Sequence, residues 1–280
     1  MRQLAILLVL AACSPAARQS PADDDDDTGH DAPPIDQAPA IDGAPLPGTT
    51  YVYAHTATEL YKIDPETLVI SDVGAFSPFP EGEMTDLAID KNGRMIGVSF
   101  TSVYLIDPTT AATTLLASGI GTEFNGLSFV PATFVNQSGD DVLVGTSDAD
   151  DSVTQIIVSG STVTTNVVGH MSNGYTSSGD MVAVEGSTLQ TVPGTNGDLL
   201  VSLHAGNFLG TPIGTGTGFN GIWGIGYWDS QVFGFTQAGQ FITIDTTTGV
   251  GTLVQDSGPS WYGAAVTTSA PIIGRTIHRD

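Results

Sequence analysis

A unit of four short strands recurs along most of this chain. Its clearest copy is residues 219–254, where four runs of β-branched, aromatic and apolar residues are separated by turn residues. Runs of this length, bounded by Gly, Asp, Ser and Thr, predict β-strands. No long segment has the apolar spacing of an amphipathic helix. The unit therefore predicts an all-β chain.

The third strand of the unit has five copies. They begin 42 to 50 residues apart, at Leu60, Val103, Val153, Leu199 and Phe241. Three copies run directly into a turn led by an aspartate, whose side chain can bond its own backbone two residues on; these are Asp64, Asp107 and Asp245. A four-stranded unit that repeats at this period is the signature of a β-propeller.

The two ends of the repeat region predict how the ring closes. The chain enters at Tyr51 on a second strand with no opening strand before it, and Tyr262 to Val266 reads as an opening strand with nothing after it. Pairing of this last strand with the first unit would remove two exposed strand edges. We therefore predict a five-bladed β-propeller closed by pairing of the C-terminal strand with the first blade. An open β-solenoid or a sandwich is the alternative.

Acidic residues dominate the charge of the chain. The formal net charge is −23, and no Lys or Arg occurs from Met95 to Gly274. Nucleic-acid binding needs a basic surface, so this class of partner is excluded. The acidity is typical of a solvated surface in a salty or crowded exterior, or of attraction for divalent cations or cationic partners. Both interpretations stay open at this point.

The N-terminus has the pattern of an export signal. Arg2 is followed by the apolar run Leu4 to Ala12, which is too short to span a bilayer. Residues 10–13, Leu-Ala-Ala-Cys, resemble the lipobox of bacterial lipoproteins, in which the cysteine is lipidated. The resemblance implies a signal peptide over residues 1–12, a lipid anchor on Cys13 and, because Ser14 follows, an outer-membrane address. An ordinary secretory signal with an incidental cysteine is the alternative.

Three further regions follow the signal. Residues 13–49 are rich in proline and contain the run Asp23 to Asp27, so they predict a disordered acidic tether. Residues 50–267 hold the propeller repeats, and residues 268–280 form a C-terminal tail. Since the only cysteine is Cys13, no internal disulfide can form.

The residues that begin the opening strands are the candidate ligand site. In a propeller these strands line the central channel, and each begins with a hydrogen-bonding residue: Thr85, Asn125, Ser178, Asn220 and Tyr262. Asp86 joins them, because it is charged where three other repeats have glycine. We predict a ligand-binding ring at one mouth of the channel; the alternative is that these groups satisfy the backbone or hold water. Of the tryptophans, Trp223 is expected in the core, whereas Trp228 and Trp261 could stack on a ligand.

The sequence offers little for metal binding or catalysis. Residues 147–152 resemble the start of a calcium loop, which makes Asp148, Asp150 and Asp151 candidate calcium ligands, but the sixth-position glycine is missing. No other cofactor is expected. Carboxylates suited to acid–base chemistry occur without a spacing that marks a pair; these are Glu81, Glu83, Asp86, Glu123 and Asp180. With no nucleophile elbow and only isolated histidines, the sequence favours a protein without catalytic activity.

Two resemblances complete the sequence-based prediction. The pattern Leu-Tyr-x-Ile-Asp-Pro-x-Thr, which begins at Leu60, is similar to repeats of poorly characterised secreted bacterial β-propellers. The lipobox and tether resemble surface or periplasmic lipoproteins of Gram-negative bacteria. The lipobox resemblance implies a lipid-anchored protein of the cell envelope. Because the propeller sits on a long tether and has no evident catalytic constellation, we predict a non-catalytic monomer that binds a ligand, a glycan or a protein partner. A channel-site glycan hydrolase or lyase and a structural envelope scaffold are the alternatives.

Overall fold

The computed structural model describes residues 50–184 and 186–272, and these residues form an all-β propeller. The predicted signal peptide, Cys13 and the tether to residue 49 lie outside the described residues, as do residues 273–280 of the predicted tail. The only helices in the described part are two short 3₁₀ turns, Ala132–Val135 and Ser172–Gly174. No helix there is long and apolar enough to cross a membrane.

In this described part of the chain, twenty strands make up five antiparallel meanders of four strands each. In meander one the last strand of the chain, β20 (Gly263–Ala265), takes the first position, and it is followed in the sheet by β1 (Val52–His55), β2 (Glu59–Ile63) and β3 (Ile70–Ala75). Meander two consists of β4 (Asp86–Ile89), β5 (Met95–Val98), β6 (Ser102–Ile106) and β7 (Thr113–Ser118). Meander three consists of β8 (Gly126–Val130), β9 (Val142–Thr146), β10 (Ser152–Ser159) and β11 (Thr162–His170).

The last two meanders follow the same plan. Meander four consists of β12 (Met181–Val184), β13 (Ser187–Val192), β14 (Leu199–Leu203) and β15 (Gly210–Ile213). Meander five consists of β16 (Ile222–Trp228), β17 (Gln231–Thr236), β18 (Phe241–Asp245) and β19 (Gly251–Gln255). A single parallel pair, Ser118 with Thr162, joins the outer strands of meanders two and three into one eight-stranded sheet.

The predicted closure of the ring is confirmed. Strand β20 pairs with β1 through Tyr53 with Ala265, Ala54 with Ala264, and His55 with Gly263. The first strand of each meander contacts the first strand of the next, in the cyclic order β20, β4, β8, β12, β16 and back to β20. A closed cycle of this kind is the arrangement of a β-propeller, and it protects the strand edges at its centre.

Burial falls from the first strand of each meander to the last. Every residue of β4, β8 and β12 is buried, whereas β19 is mostly exposed. Apolar side chains of neighbouring meanders pack into shared cores; for example, Val52 of β1 and Ile225 of β16 belong to one cluster. Buried first strands therefore read as apolar runs, while the outer strands carry the polar residues.

The aspartate-led turns follow from local hydrogen bonding, as predicted. The Oδ1 atom of Asp64 accepts the N–H groups of Glu66 (2.9 Å) and Thr67 (3.0 Å). The same atom of Asp245 accepts those of Thr247 (2.9 Å) and Thr248 (2.7 Å). Because these bonds favour the ionised carboxylate, led by the bond from Thr67 at Asp64, they lower the pKa of both aspartates.

Candidate functional site

A cavity of about 530 Å³ opens where the first strands of the meanders begin. All five meanders contribute to its wall, through Tyr262, Thr85, Asn125, Ser178 and Trp223. Four of these residues lie within three positions of the start of a first strand, and Trp223 is the second residue of β16. The propeller cycle thus gathers residues far apart in the chain at one opening.

The cavity includes four of the six residues proposed as a ligand-binding ring. Thr85, Asn125, Ser178 and Tyr262 line it. Asn220 does not: its side chain is exposed outside the lining, and Gly221 turns the chain with a φ of 64° before β16 begins. Asp86 is fully buried and is not part of the wall either.

The aromatic residues of the site differ from the sequence-based expectation. Trp223, expected in the core, lines the cavity, and its ring meets that of Tyr262 edge to face at 5.5 Å. Trp261, expected to stack on a ligand, is 1% exposed and packs against Tyr61 and Phe235. The expectation was wrong for both, because Trp261 turns into the core between meanders one and five. Phe100, which no repeat pattern marked, is exposed at the cavity wall.

Three carboxylates line the cavity, and no Lys, Arg or His of the described residues does. They are Glu83, Glu123 and Asp148, from segments before β4, before β8 and after β9. Burial raises the pKa of the Tyr262 hydroxyl, and the nearby negative charge of Glu83 raises it further. Glu81 lies outside the wall, where its carboxylate accepts hydrogen bonds from the hydroxyls of Ser99, Thr101 (2.9 Å) and Tyr104 (2.8 Å).

A separate group of three titratable side chains is completely buried. His55, Asp86 and Asp180 each have no exposed surface. The Nδ1 atom of His55 lies 2.7 Å from the carbonyl of Thr56 and donates to it, which leaves Nε2 as the free lone pair, 3.9 Å from Oδ1 of Asp86. Burial lowers the pKa of His55 to about 4, so the imidazole is neutral at physiological pH.

The two aspartates of this group bond the backbone of first strands. Oδ1 of Asp86 accepts the N–H of Leu87 at 2.8 Å. Asp180 accepts the N–H of Met181 at 2.6 Å and, through Oδ2, that of Ile225 at 2.7 Å. Asp180 therefore ties meander four to the first strand of meander five, 45 residues further along the chain.

Burial is the main cause of the raised pKa of both aspartates. It raises the pKa of Asp180 to about 8. It also raises the pKa of Asp86 well above the ordinary value, and the charge of Asp180 raises it further. The pair consequently keeps its protons at a pH where an exposed aspartate would be ionised.

A glycine makes room for this buried group. A Cβ atom added to Gly263 would overlap Oδ1 of Asp86 and Nε2 of His55. The contrast between Asp86 and the glycines at the same repeat position was therefore a real signal, although of a buried polar group and not of a wall residue. His55 carried no sequence signal, since it lies at the end of β1 and resembles any isolated histidine.

The three calcium-ligand candidates have separate surroundings. Asp148 lines the cavity, Asp150 accepts the N–H of Ser152 at 2.9 Å, and Asp151 lies 2.8 Å from Nδ1 of His170. Within residues 50–184 and 186–272, no three His, Cys, Asp or Glu side chains are placed to hold a metal ion.

Comparison with known proteins gives similarity in fold only. No family model matches the chain, and no curated protein matches it in sequence. A structure of a nidogen/laminin complex is 10% identical, with 80% of this chain and 100% of that chain covered and a TM-score of 0.44. TolB from Acinetobacter baumannii is 14% identical, with 76% and 54% covered and a TM-score of 0.42. The WD40 repeats of RRP9 are 12% identical, with 72% and 58% covered and a TM-score of 0.40. Similarity at this level says nothing about a ligand or an activity.

Proposed function

We propose that this protein is a lipid-anchored, non-catalytic binding protein of the bacterial cell envelope, whose ligand enters the cavity at the channel mouth. One observation carries the proposal: all five meanders place polar or aromatic side chains around a single open cavity of about 530 Å³. Cavities of this size, with aromatic walls and a few polar groups, are typical of small-molecule sites. The open cavity also disfavours a pure scaffold, for which a plugged channel is expected.

The binding proposal is tested on the aromatic wall. The full-length protein is titrated with a set of sugars, amino acids and short peptides, and binding is followed by calorimetry. Because Trp223 lines the cavity, Trp223→Ala should lower the affinity for any ligand of the cavity by at least about tenfold, the order found for aromatic anchors in binding sites. Trp228→Ala is the matched control, since Trp228 is on the same strand but outside the wall. If every ligand bound both variants equally, this cavity would not be the site.

The lipid anchor is tested at Cys13. In the wild type, acyl chains on this cysteine should hold the protein in the membrane fraction, because each buried CH₂ contributes about 0.8 kcal/mol. We expect Cys13→Ser to leave the protein outside that fraction, with its thermal unfolding midpoint unchanged. Fractionation measures the location of the protein, metabolic labelling with a radioactive fatty acid measures acylation, and a thermal melt measures the midpoint. Membrane retention of the Cys13→Ser protein would contradict the proposed anchor.

A glycan hydrolase is the second candidate, because Glu83, Glu123 and Asp148 face the cavity. Glycosidases of this type need one carboxyl group with a raised pKa as the acid. The two aspartates whose pKa burial raises most, Asp86 and Asp180, have no exposed surface and cannot touch a glycan. Release of reducing sugar ends from envelope polysaccharide, and its loss in Glu123→Gln, would favour this candidate over binding alone.

A further inference from the structure

The wall of the cavity carries negative charge without compensation. Glu83, Glu123 and Asp148 come from three different segments, and within residues 50–184 and 186–272 no cationic side chain lies beside them in the wall. The stretch from Met95 to Gly274, which holds Glu123 and Asp148, has no Lys or Arg, and the formal net charge of the chain is −23. A concave, low-dielectric surface of one sign focuses its field and attracts counter-charge. This electrostatic pattern favours a positively charged ligand.

The aromatic part of the wall suits an organic cation better than a bare ion. Trp223 and Tyr262 meet edge to face at 5.5 Å, and Phe100 is 42% exposed. Ammonium and guanidinium groups are attracted to the faces of such rings, and tryptophan is the strongest of them. An apolar carbon chain attached to the cation would also gain from contact with these rings.

One buried acceptor atom in a wall residue has no donor. Oδ1 of Asn125 is shielded from solvent and has no hydrogen-bond partner among the described residues. An unpaired buried acceptor costs about 1–3 kcal/mol. Ammonium and guanidinium groups bring several N–H donors and no acceptor, which matches a wall of carboxylates and an unpaired amide oxygen.

We infer that the ligand of the channel-mouth cavity is an organic cation that carries an alkylammonium or guanidinium group. The inference rests on the proposed binding function and specifies its ligand class. A divalent metal ion fits less well, because calcium needs six to eight oxygen ligands around one point. The described residues have no three acidic, His or Cys side chains so placed. An extended cation can instead reach carboxylates that are spread around a wide cavity.

The charge of the ligand is tested with matched pairs of compounds on the full-length protein. Hexamethylenediamine is compared with the uncharged hexanediol, as a probe for free polyamines. Blocked Ala-Lys-Ala is compared with its norleucine counterpart, as a probe for a basic side chain of a partner protein. We expect the charged member of one pair to bind at least about tenfold more tightly, and its affinity to fall as salt rises. Binding of hexamethylenediamine would indicate a free polyamine, and binding of the lysine peptide would indicate a basic side chain of a partner protein.

Wall variants locate the binding. Glu123→Gln and Glu83→Gln should each weaken the cationic probe by about threefold to tenfold, the range expected for a partly desolvated charge contact. Glu66→Gln is the control, because Glu66 lies in the exposed turn after β2, outside the cavity wall. Trp223→Ala should weaken the probe as well, through loss of the aromatic face.

Each contrary outcome has a distinct meaning. If hexanediol bound as tightly as the diamine and Trp223→Ala abolished both, the cavity would bind ligands but the cationic class would be wrong. Binding of calcium chloride alone, without either cationic probe, would replace the inference with a metal site. If neither charged probe bound, the inference would be overturned, and the wider titration of sugars and peptides would decide the proposed function separately.

Discussion

Replacing Asp180 with alanine is expected to lower the free energy of unfolding by about 2–5 kcal/mol. The carboxyl group is fully buried and accepts the N–H groups of Met181 (2.6 Å) and Ile225 (2.7 Å). Alanine would leave both donors buried without a partner, and each such donor costs about 1–3 kcal/mol. Urea unfolding of the full-length protein at pH 6, followed by circular dichroism, measures the change.

Two variants separate this effect from the loss of any carboxylate. Asp180→Asn keeps one oxygen acceptor, but its amide N–H₂ meets an N–H group, so we expect an intermediate loss of stability. Asp150→Ala removes an exposed carboxylate that bonds a single backbone group, the N–H of Ser152, and should cost less than about 1 kcal/mol. If Asp180→Ala cost no more than Asp150→Ala, the bond between meanders four and five would contribute little.

The contact that Asp180 makes with meander five could not be predicted from the sequence, although the third strands could. The third strands at Leu60, Val103 and Phe241 could be located because strand propensity and aspartate-led turns are local, and each lies third in its meander. Asp180 is different, because its main partner is Ile225, 45 residues away. The spacing of residues in the sequence does not predict this contact, because it forms only when the closed ring brings meanders four and five together.

Only some of the residues in the cavity wall could be predicted from the sequence. The repeat position that starts each first strand could be aligned, which placed Thr85, Asn125 and Tyr262 at one mouth of the channel. The direction of a bulky side chain at the edge of such a strand depends on local twist and on the neighbouring meander. This is why Trp223 and Trp261 exchanged their expected roles.

The stability of the protein is expected to fall as pH rises from 6.5 to 8. Folding raises the pKa of Asp180 from 3.8 to about 8, and that of Asp86 in the same direction. Between these limits the unfolded chain has lost protons that the folded protein keeps. The contribution of the pair is therefore fully present below the unfolded pKa and is lost as pH rises through the folded pKa.

The other titrating groups fix the pH window. His55 faces Asp86, and its pKa falls from 6.5 to about 4, so it reduces stability as pH falls from 6.5 towards 4 and has no effect above 6.5. The turn aspartates with a lowered pKa, such as Asp64 and Asp245, act only below the ordinary value of 3.8. The tyrosines whose pKa burial raises to about 12, such as Tyr53, act only in strong alkali. Burial also raises the pKa of Asp198, so this residue acts in the same direction, and the fully buried pair has the larger share between pH 6.5 and 8.

The size of the fall follows from the linkage of protons to folding. Each group that keeps its proton only in the folded state changes stability by about 1.4 kcal/mol per pH unit, so the two aspartates together should cost on the order of 4 kcal/mol over the window from pH 6.5 to 8. Urea unfolding at pH 6.5, 7.2 and 8.0 measures the slope, and Asp180→Asn, which cannot ionise, should reduce it. A stability that stayed level or rose across this window in the wild type would mean that the buried pair is already ionised when the protein is folded. In that case the N–H groups of Leu87, Met181 and Ile225 would outweigh the cost of burying the charge.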